Sequence, residues 1–312
     1  MHAEINKLAD EPKVAFLVGA GRSGTTLLYK LLCLHPDIAY ISNYDNRYKW
    51  IPDGLAAGLI STRINAKIDA WFNVRGNAYF TKRPWAKKIF PTPHEGESVY
   101  KSCGMPLRYW PGYKPNDAMQ ERLRSRFRNI ITGANAQIFL SKRTANNRRI
   151  TQLQSIFPNA QYIHLIRDGR EVAHSLSSVE WWNSHTVWWD GRTALQMEQT
   201  GENRLVICAK NWAYEMKELR KQLSVIPNKQ LLELRFENLL NNPIDILEST
   251  LDFLGLSMTL ELRDAINSLK LSRSSPAWSD QWTTADLACV LQEQKLLLSE
   301  LGYMNQEQQL AP

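Results

Sequence analysis

The chain has 312 residues, 44% hydrophobic and 22% charged, a globular composition that can bury a core and is long enough for one large α/β domain or two small ones. Lys plus Arg outnumber Asp plus Glu by 38 to 31, for a net charge of +7; the cations are scattered, which suits an anionic ligand and gives nucleic-acid binding no support. Four well-separated cysteines without a C-x-x-C pair argue against a zinc site. The start has no apolar signal core, and no run approaches the roughly 18 residues of a spanning helix, so the expectation is a cytoplasmic protein with free thiols, no metal and no transmembrane segment.

In chain order, residues 14–19 form a continuous apolar run, the pattern of a parallel strand buried on both faces. A glycine-rich turn follows, then apolar residues at helical spacing over 25–34 and a second short strand near 38–41. Residues 44–115 are rich in Trp, Tyr, Lys, Arg, Gly and Pro with poor periodicity, and are expected to be an irregular insertion that shapes an acceptor site. Regular patterns then resume: helix over 116–131, strand over 138–141, helix over 145–157, strand over 162–166, helix over 168–178, a long apolar stripe over 204–223, strand over 231–234, and helices to the end. Strands alternating with helices predict one α/β domain, with a central parallel sheet flanked by helices in three layers and a helical C-terminal part.

Gly19-Ala20-Gly21-Arg22-Ser23-Gly24-Thr25-Thr26 stands between the first strand and the first helix. Such a turn aims backbone N–H groups and a helix dipole at an anion, while Arg22 adds a charge and Thr25 and Thr26 add hydroxyls. The string partly fits a nucleoside-triphosphate loop, with threonine at position 25 where lysine is required, and it fits a dinucleotide fingerprint with Asp45 as the ribose acid. It also fits a phosphosulfate loop, and taken alone it leaves these readings open.

The second informative string is Tyr162-Ile163-His164-Leu165-Ile166-Arg167-Asp168-Gly169-Arg170, continuing to Ser175. A buried strand delivers Arg167 at its carboxyl end, and Ser175 lies about two helical turns on, so a guanidinium fork and a hydroxyl can meet on one phosphate. With both strings in place, the chain resembles the sulfotransferases that use 3′-phosphoadenosine-5′-phosphosulfate (PAPS), most closely their bacterial branch. The resemblance extends through Leu234-Arg235-Phe236-Glu237-Asn238-Leu239, Phe253-Leu254-Gly255-Leu256, Trp282 and Leu301-Gly302-Tyr303.

The resemblance implies a P-loop-like fold and PAPS as donor, with its product, the bisphosphate PAP, bound without a metal. It places Gly21, Arg22, Ser23, Gly24, Thr25 and Thr26 on the 5′-phosphosulfate, Arg167 and Ser175 on the 3′-phosphate, and Arg273 on a late loop at that phosphate; Phe236 belongs to the matching segment. Lys142 falls where such enzymes place a lysine beside the transferring group. The usual base is missing, because Arg143 and Thr144 follow Lys142 and no Glu follows the first helix. Asp45 is the first substitute, with His94 and His185 behind it, and a small-molecule, glycan or lipid acceptor is implied. The Trp181, Trp182, Trp188 and Trp189 run reads as an acceptor wall mixed with packing residues. A non-catalytic nucleotide-binding module and, more remotely, a P-loop kinase are the alternatives.

Overall fold

The first strand, β1 (Val14–Val18), is buried at every position because it runs through a five-stranded sheet covered on both faces. The computed structural model describes residues 11–73, 89–106, 112–272 and 277–304. Strands β2 (Ile38–Ala39), β3 (Ile138–Lys142), β4 (Gln161–Ile166) and β5 (Leu231–Arg235) complete the sheet, in the order β2-β3-β1-β4-β5. Every pairing is parallel, with Leu17 opposite Lys142 and Val18 opposite His164. The chain leaves β1 toward both edges of the sheet, which opens a crevice at the carboxyl ends of the central strands, the usual ligand position in such sheets.

Helices α1 (Thr25–Leu32), α2 (Asn43–Arg47), α3 (Leu55–Gly58), α4 (Ile64–Trp71) and α5 (Glu97–Ser102) precede α6 (Asp117–Ala134) and α7 (Ile150–Ile156). After β4 come α8 (Gly169–Ser177), α9 (Ala194–Gln199) and α10 (Arg204–Leu223). Beyond β5 lie α11 (Phe236–Asn241), α12 (Pro243–Leu254), α13 (Leu260–Asn267) and α14 (Thr284–Glu300). Alternation along β1 feeds two cores. Ala15 and Leu17 face α1, α4, α12 and α13, whereas Val14, Phe16 and Val18 face α6, α7, α10 and α14.

Two elements depart from the sequence reading. The helix expected over 145–157 is split into a 3₁₀ turn, Thr144–Arg148, and α7. Asn146 donates to the Tyr100 hydroxyl and Asn147 bonds both backbone groups of Gly19, so two short polar side chains spend themselves on tertiary partners and not on extending a helix. The insertion is more regular than its composition suggests, with α2 to α5 inside it. Its helical period is hidden by Lys67, which is 1% exposed and donates to the carbonyls of Cys33, Leu34 and Ser61. A buried lysine reads as surface in a sequence, yet here it caps the end of α1.

Candidate active site

The turn between β1 and α1 holds Arg22 at φ 70 and Gly24 at φ 88. A Cβ on Gly24 would sit 2.2 Å from the Phe236 ring, so glycine is required both for the left-handed backbone and for that contact. Gly21 is the opposite case, since a Cβ there would meet nothing within 4 Å. Helix α1 begins with no side-chain cap and no acid in its first turn. Its leading N–H groups are therefore best served by an anion. Ser23 is fully buried and its Oγ has no partner, an orphan donor at the floor of the same turn. Thr25 is buried beside it and Thr26 is partly exposed.

Arg167 leaves the end of β4 and Ser175 stands on α8, as the sequence spacing requires. Arg22 Nε donates to Ser175 Oγ at 3.0 Å, a contact between residues 153 positions apart. Arg167 Nη1 donates to the carbonyl of Arg22 at 2.9 Å, its Nη2 pairs with Glu171 at 3.3 Å, and its guanidinium lies 4.6 Å from the Phe236 ring centre. Arg22 and Arg167, expected at two anion positions, are thus in direct contact. Arg167 is buried and held by a carboxylate, so it also braces the left-handed turn at Arg22. Asp168 caps α8 and forks onto Arg170, which reaches the Tyr303 carbonyl and so pins the C-terminal stretch to this junction.

One strand over, Lys142 ends β3, and its Nζ donates to Glu95 Oε1 at 2.5 Å. Glu95 Oε2 accepts from the Thr144 N–H at 3.4 Å. Burial alone would raise the Glu95 carboxyl, but the Lys142 charge and hydrogen bond, with help from Thr144 and Arg143, hold it below the usual range. Residues 91–94 return from the insertion alongside the continuation of β2, through a bridge between Ser42 and Pro93 and a bond from His94 N–H to the Ile41 carbonyl. That return is what carries Glu95 to Lys142.

Asp45, the first substitute for the base, has another task. It is 3% exposed, its Oδ2 accepts from the N–H and hydroxyl of Ser42, and its Oδ1 accepts from Gly54 N–H. All of its lone pairs aimed at the protein are used in capping α2 and closing the next loop, so it is not placed to take an acceptor proton. His94 is exposed next to Glu95, with Nδ1 accepting from Gly96 N–H and its imidazole held below the ordinary value by burial. His185 stacks on Trp182 at 5.3 Å, where burial and the Arg148 guanidinium lower its pKa; among the described residues no contact joins it to Lys142 or the glycine turn. Arg273 lies outside the described residues. Of the tryptophan run, Trp182 is core, Trp181 is half exposed, Trp188 lies under Arg148 and Trp189 stacks on Tyr214.

Sequence reasoning missed Glu95. It sought an acid after the first helix, and the available signal was the acidic Pro93-His94-Glu95-Gly96-Glu97 stretch before α5, within the very segment assigned to the acceptor. Among the described residues no group of three or more His, Cys, Asp or Glu side chains could hold a metal, and no helix is long and apolar enough to cross a membrane.

A parallel sheet with an uncapped glycine turn after its central strand and an arginine-bearing junction after the next defines an α/β protein of the phosphate-loop type. The comparisons with known proteins make the class specific. The chain belongs to the sulfotransferase family, whose model matches residues 14–260. The fold is similar to that of sulfotransferase STF9 from Mycobacterium avium, at 14% identity and a TM-score of 0.59 over 96% of this chain and 80% of that one. Sulfotransferase STF1 from Mycobacterium tuberculosis H37Rv gives 15% identity and a TM-score of 0.55, over 94% of this chain and 79% of the other. No curated protein matches the sequence.

Proposed function

We propose that the chain transfers a sulfuryl group from PAPS to a hydroxyl or amine of a small-molecule, glycan or lipid acceptor. The observation that carries this reading is the Arg22–Ser175 contact at 3.0 Å, which joins the glycine turn and the β4–α8 junction into one anion site at the strand ends. The orphan Ser23 hydroxyl, the open space over Gly21 and the uncapped α1 fit a phosphosulfate. Ser175 with the Arg22 and Arg167 guanidinium groups fits a second phosphate.

When bound, the donor supplies an activated sulfuryl group whose leaving oxygen belongs to a phosphate. Lys142 and the first-turn N–H groups of α1 stabilise negative charge that develops on that oxygen. Glu95 is the general base: it is the carboxylate that touches Lys142, about half of its side chain stays open to solvent, and it is kept ionised. As Lys142 turns to the donor, the Glu95 carboxylate is released to accept the proton of the incoming hydroxyl or amine. Arg167 holds the Arg22 carbonyl and thereby the shape of the turn.

Calorimetry with PAP tests the donor assignment. Wild type should bind, and Arg167→Ala should lose about 10-fold or more in affinity, the scale of a charge-assisted hydrogen bond. Equal affinity in the two proteins would falsify the assignment. Mass spectrometry of acceptor mixtures incubated with PAPS should show products heavier by one sulfuryl group.

A further inference from the structure

We infer that the acceptor carries an anionic group, a carboxylate, sulfate or phosphate, and that Arg143 receives it; the inference rests on the sulfotransferase reading above. Arg143 directly follows Lys142 and continues in extended conformation, at φ −153 and ψ 124. Side chains alternate along extended chain. Lys142 therefore shares the face of Ile138 and Leu140, against which α1 packs. Arg143 shares the face of Phe139 and Ser141, on which Tyr100 of α5 and the helix α6 lie. Its guanidinium sits over the Tyr100 ring at 5.0 Å. That ring belongs to the insertion.

Arg143 is 4% exposed, and its buried Nη1 has no hydrogen-bond partner; among the described residues it makes no ion pair. The neighbouring carboxylates act on Arg143 at most at a distance, Glu95 through its charge, and bond to other groups. Glu95 is held by Lys142 and Thr144 N–H, and Glu215 by Arg148 and Asn147. A second buried cation stands close by: Arg149 is 2% exposed, and burial, Arg143 and Arg148, against the opposing pull of Tyr100 and Glu97, bring its pKa down to about 10. A buried guanidinium with no bonded counter-ion is costly to a folded chain, and one aromatic face with a distant carboxylate offsets only part of the cost. Among the described residues no carboxylate bonds to Arg143, and we assign that place to a ligand. Asn146 Oδ1, beside the same Tyr100, is also buried without a donor, which fits a hydroxyl near the anionic group. The acceptor class is then a hydroxylated or aminated acid and not a neutral alcohol or phenol.

The test uses the full chain, with inorganic sulfate as the probe, PAP at saturation to fill the donor site, and ionic strength held constant with chloride. Sulfate should raise the melting temperature of wild type. In Arg143→Met the apparent sulfate affinity should fall about 10-fold or more. Because Arg143→Met removes a buried charge that lacks a partner, the ligand-free variant should melt at or above wild type. No sulfate response in wild type, an equal response in Arg143→Met, or a variant that melts well below wild type each overturns the inference. Failure of the donor reading appears separately, as absence of PAP binding to wild type, and the sulfate comparison between wild type and Arg143→Met still decides the role of Arg143.

Discussion

The two ion pairs of the site differ in access. Arg167–Glu171 is closed, with side-chain exposures of 4% and 7%, whereas Lys142–Glu95 leaves 46% of the carboxylate side chain open. The first joins residues four apart on one strand–helix junction and also holds a backbone carbonyl. The second joins residues 47 apart, from two segments that meet only in the folded chain. A closed pair fixes geometry, and opening it leaves an uncompensated buried charge. A half-open pair can exchange partners at modest cost, because water can replace either one. The Arg167 pair is therefore built for constancy and the Lys142 pair for partner exchange.

The strongest way to break this comparison is Glu95→Gln. Loss of a general base should lower kcat by about 10²–10⁴-fold with PAP affinity unchanged by calorimetry. A variant with normal kcat would return the base to His94 or dispense with one. Lys142→Ala comes next, with kcat down by about 10²–10³-fold and a smaller loss of donor affinity. It also has a pH signature. Lys142 holds the Glu95 pKa down, so the wild-type rate should persist to pH values below the ordinary carboxylate range before it falls. Without the lysine, burial is opposed only by the smaller effects of Thr144 and Arg143, and the acid limb should move to higher pH. An acid limb at the same pH in both proteins would separate Glu95 from the reaction.

Asp45→Ala sharpens the comparison from the structural side. It should destabilise the fold by about 1–3 kcal/mol in denaturant titration, the scale of a lost cap plus a buried unpaired N–H. Activity per folded molecule should stay near wild type, and a large loss of kcat would restore Asp45 as a reacting group. At neutral pH the smallest pH dependence belongs to Lys67, whose burial lowers its pKa to about 8. Its folded pKa lies below its unfolded one, so the penalty is fully present below pH 8 and is relieved as pH rises toward the unfolded value near 10.4. Over that window this group should add a positive slope of up to about 1.4 kcal/mol per pH unit, which Lys67→Met should remove.

Legibility followed contiguity. The glycine turn and the Arg167-to-Ser175 interval each lie on one strand–helix junction, where local hydrogen bonds and alternation set the side-chain directions, so both could be placed from residue order. Asp45 shows the limit. Its distance from the turn suited a ribose or a proton, but the Ser42 and Gly54 donors that claim it become visible only when the loop closes. Asn146 and Asn147 likewise read as part of a helix until Tyr100 and Gly19 come within reach.

Residue order by itself determined the sheet class, the family and the anion-binding turn, because these depend on apolar runs, glycine backbone freedom and short fixed spacings. Tertiary structure alone decided that Glu95 meets Lys142, that Arg22 meets Ser175 and that the Arg143 guanidinium is buried over Tyr100. Those pairings depend on how a long insertion packs back on the strand ends, and packing is settled by the whole core at once and not by any segment of it.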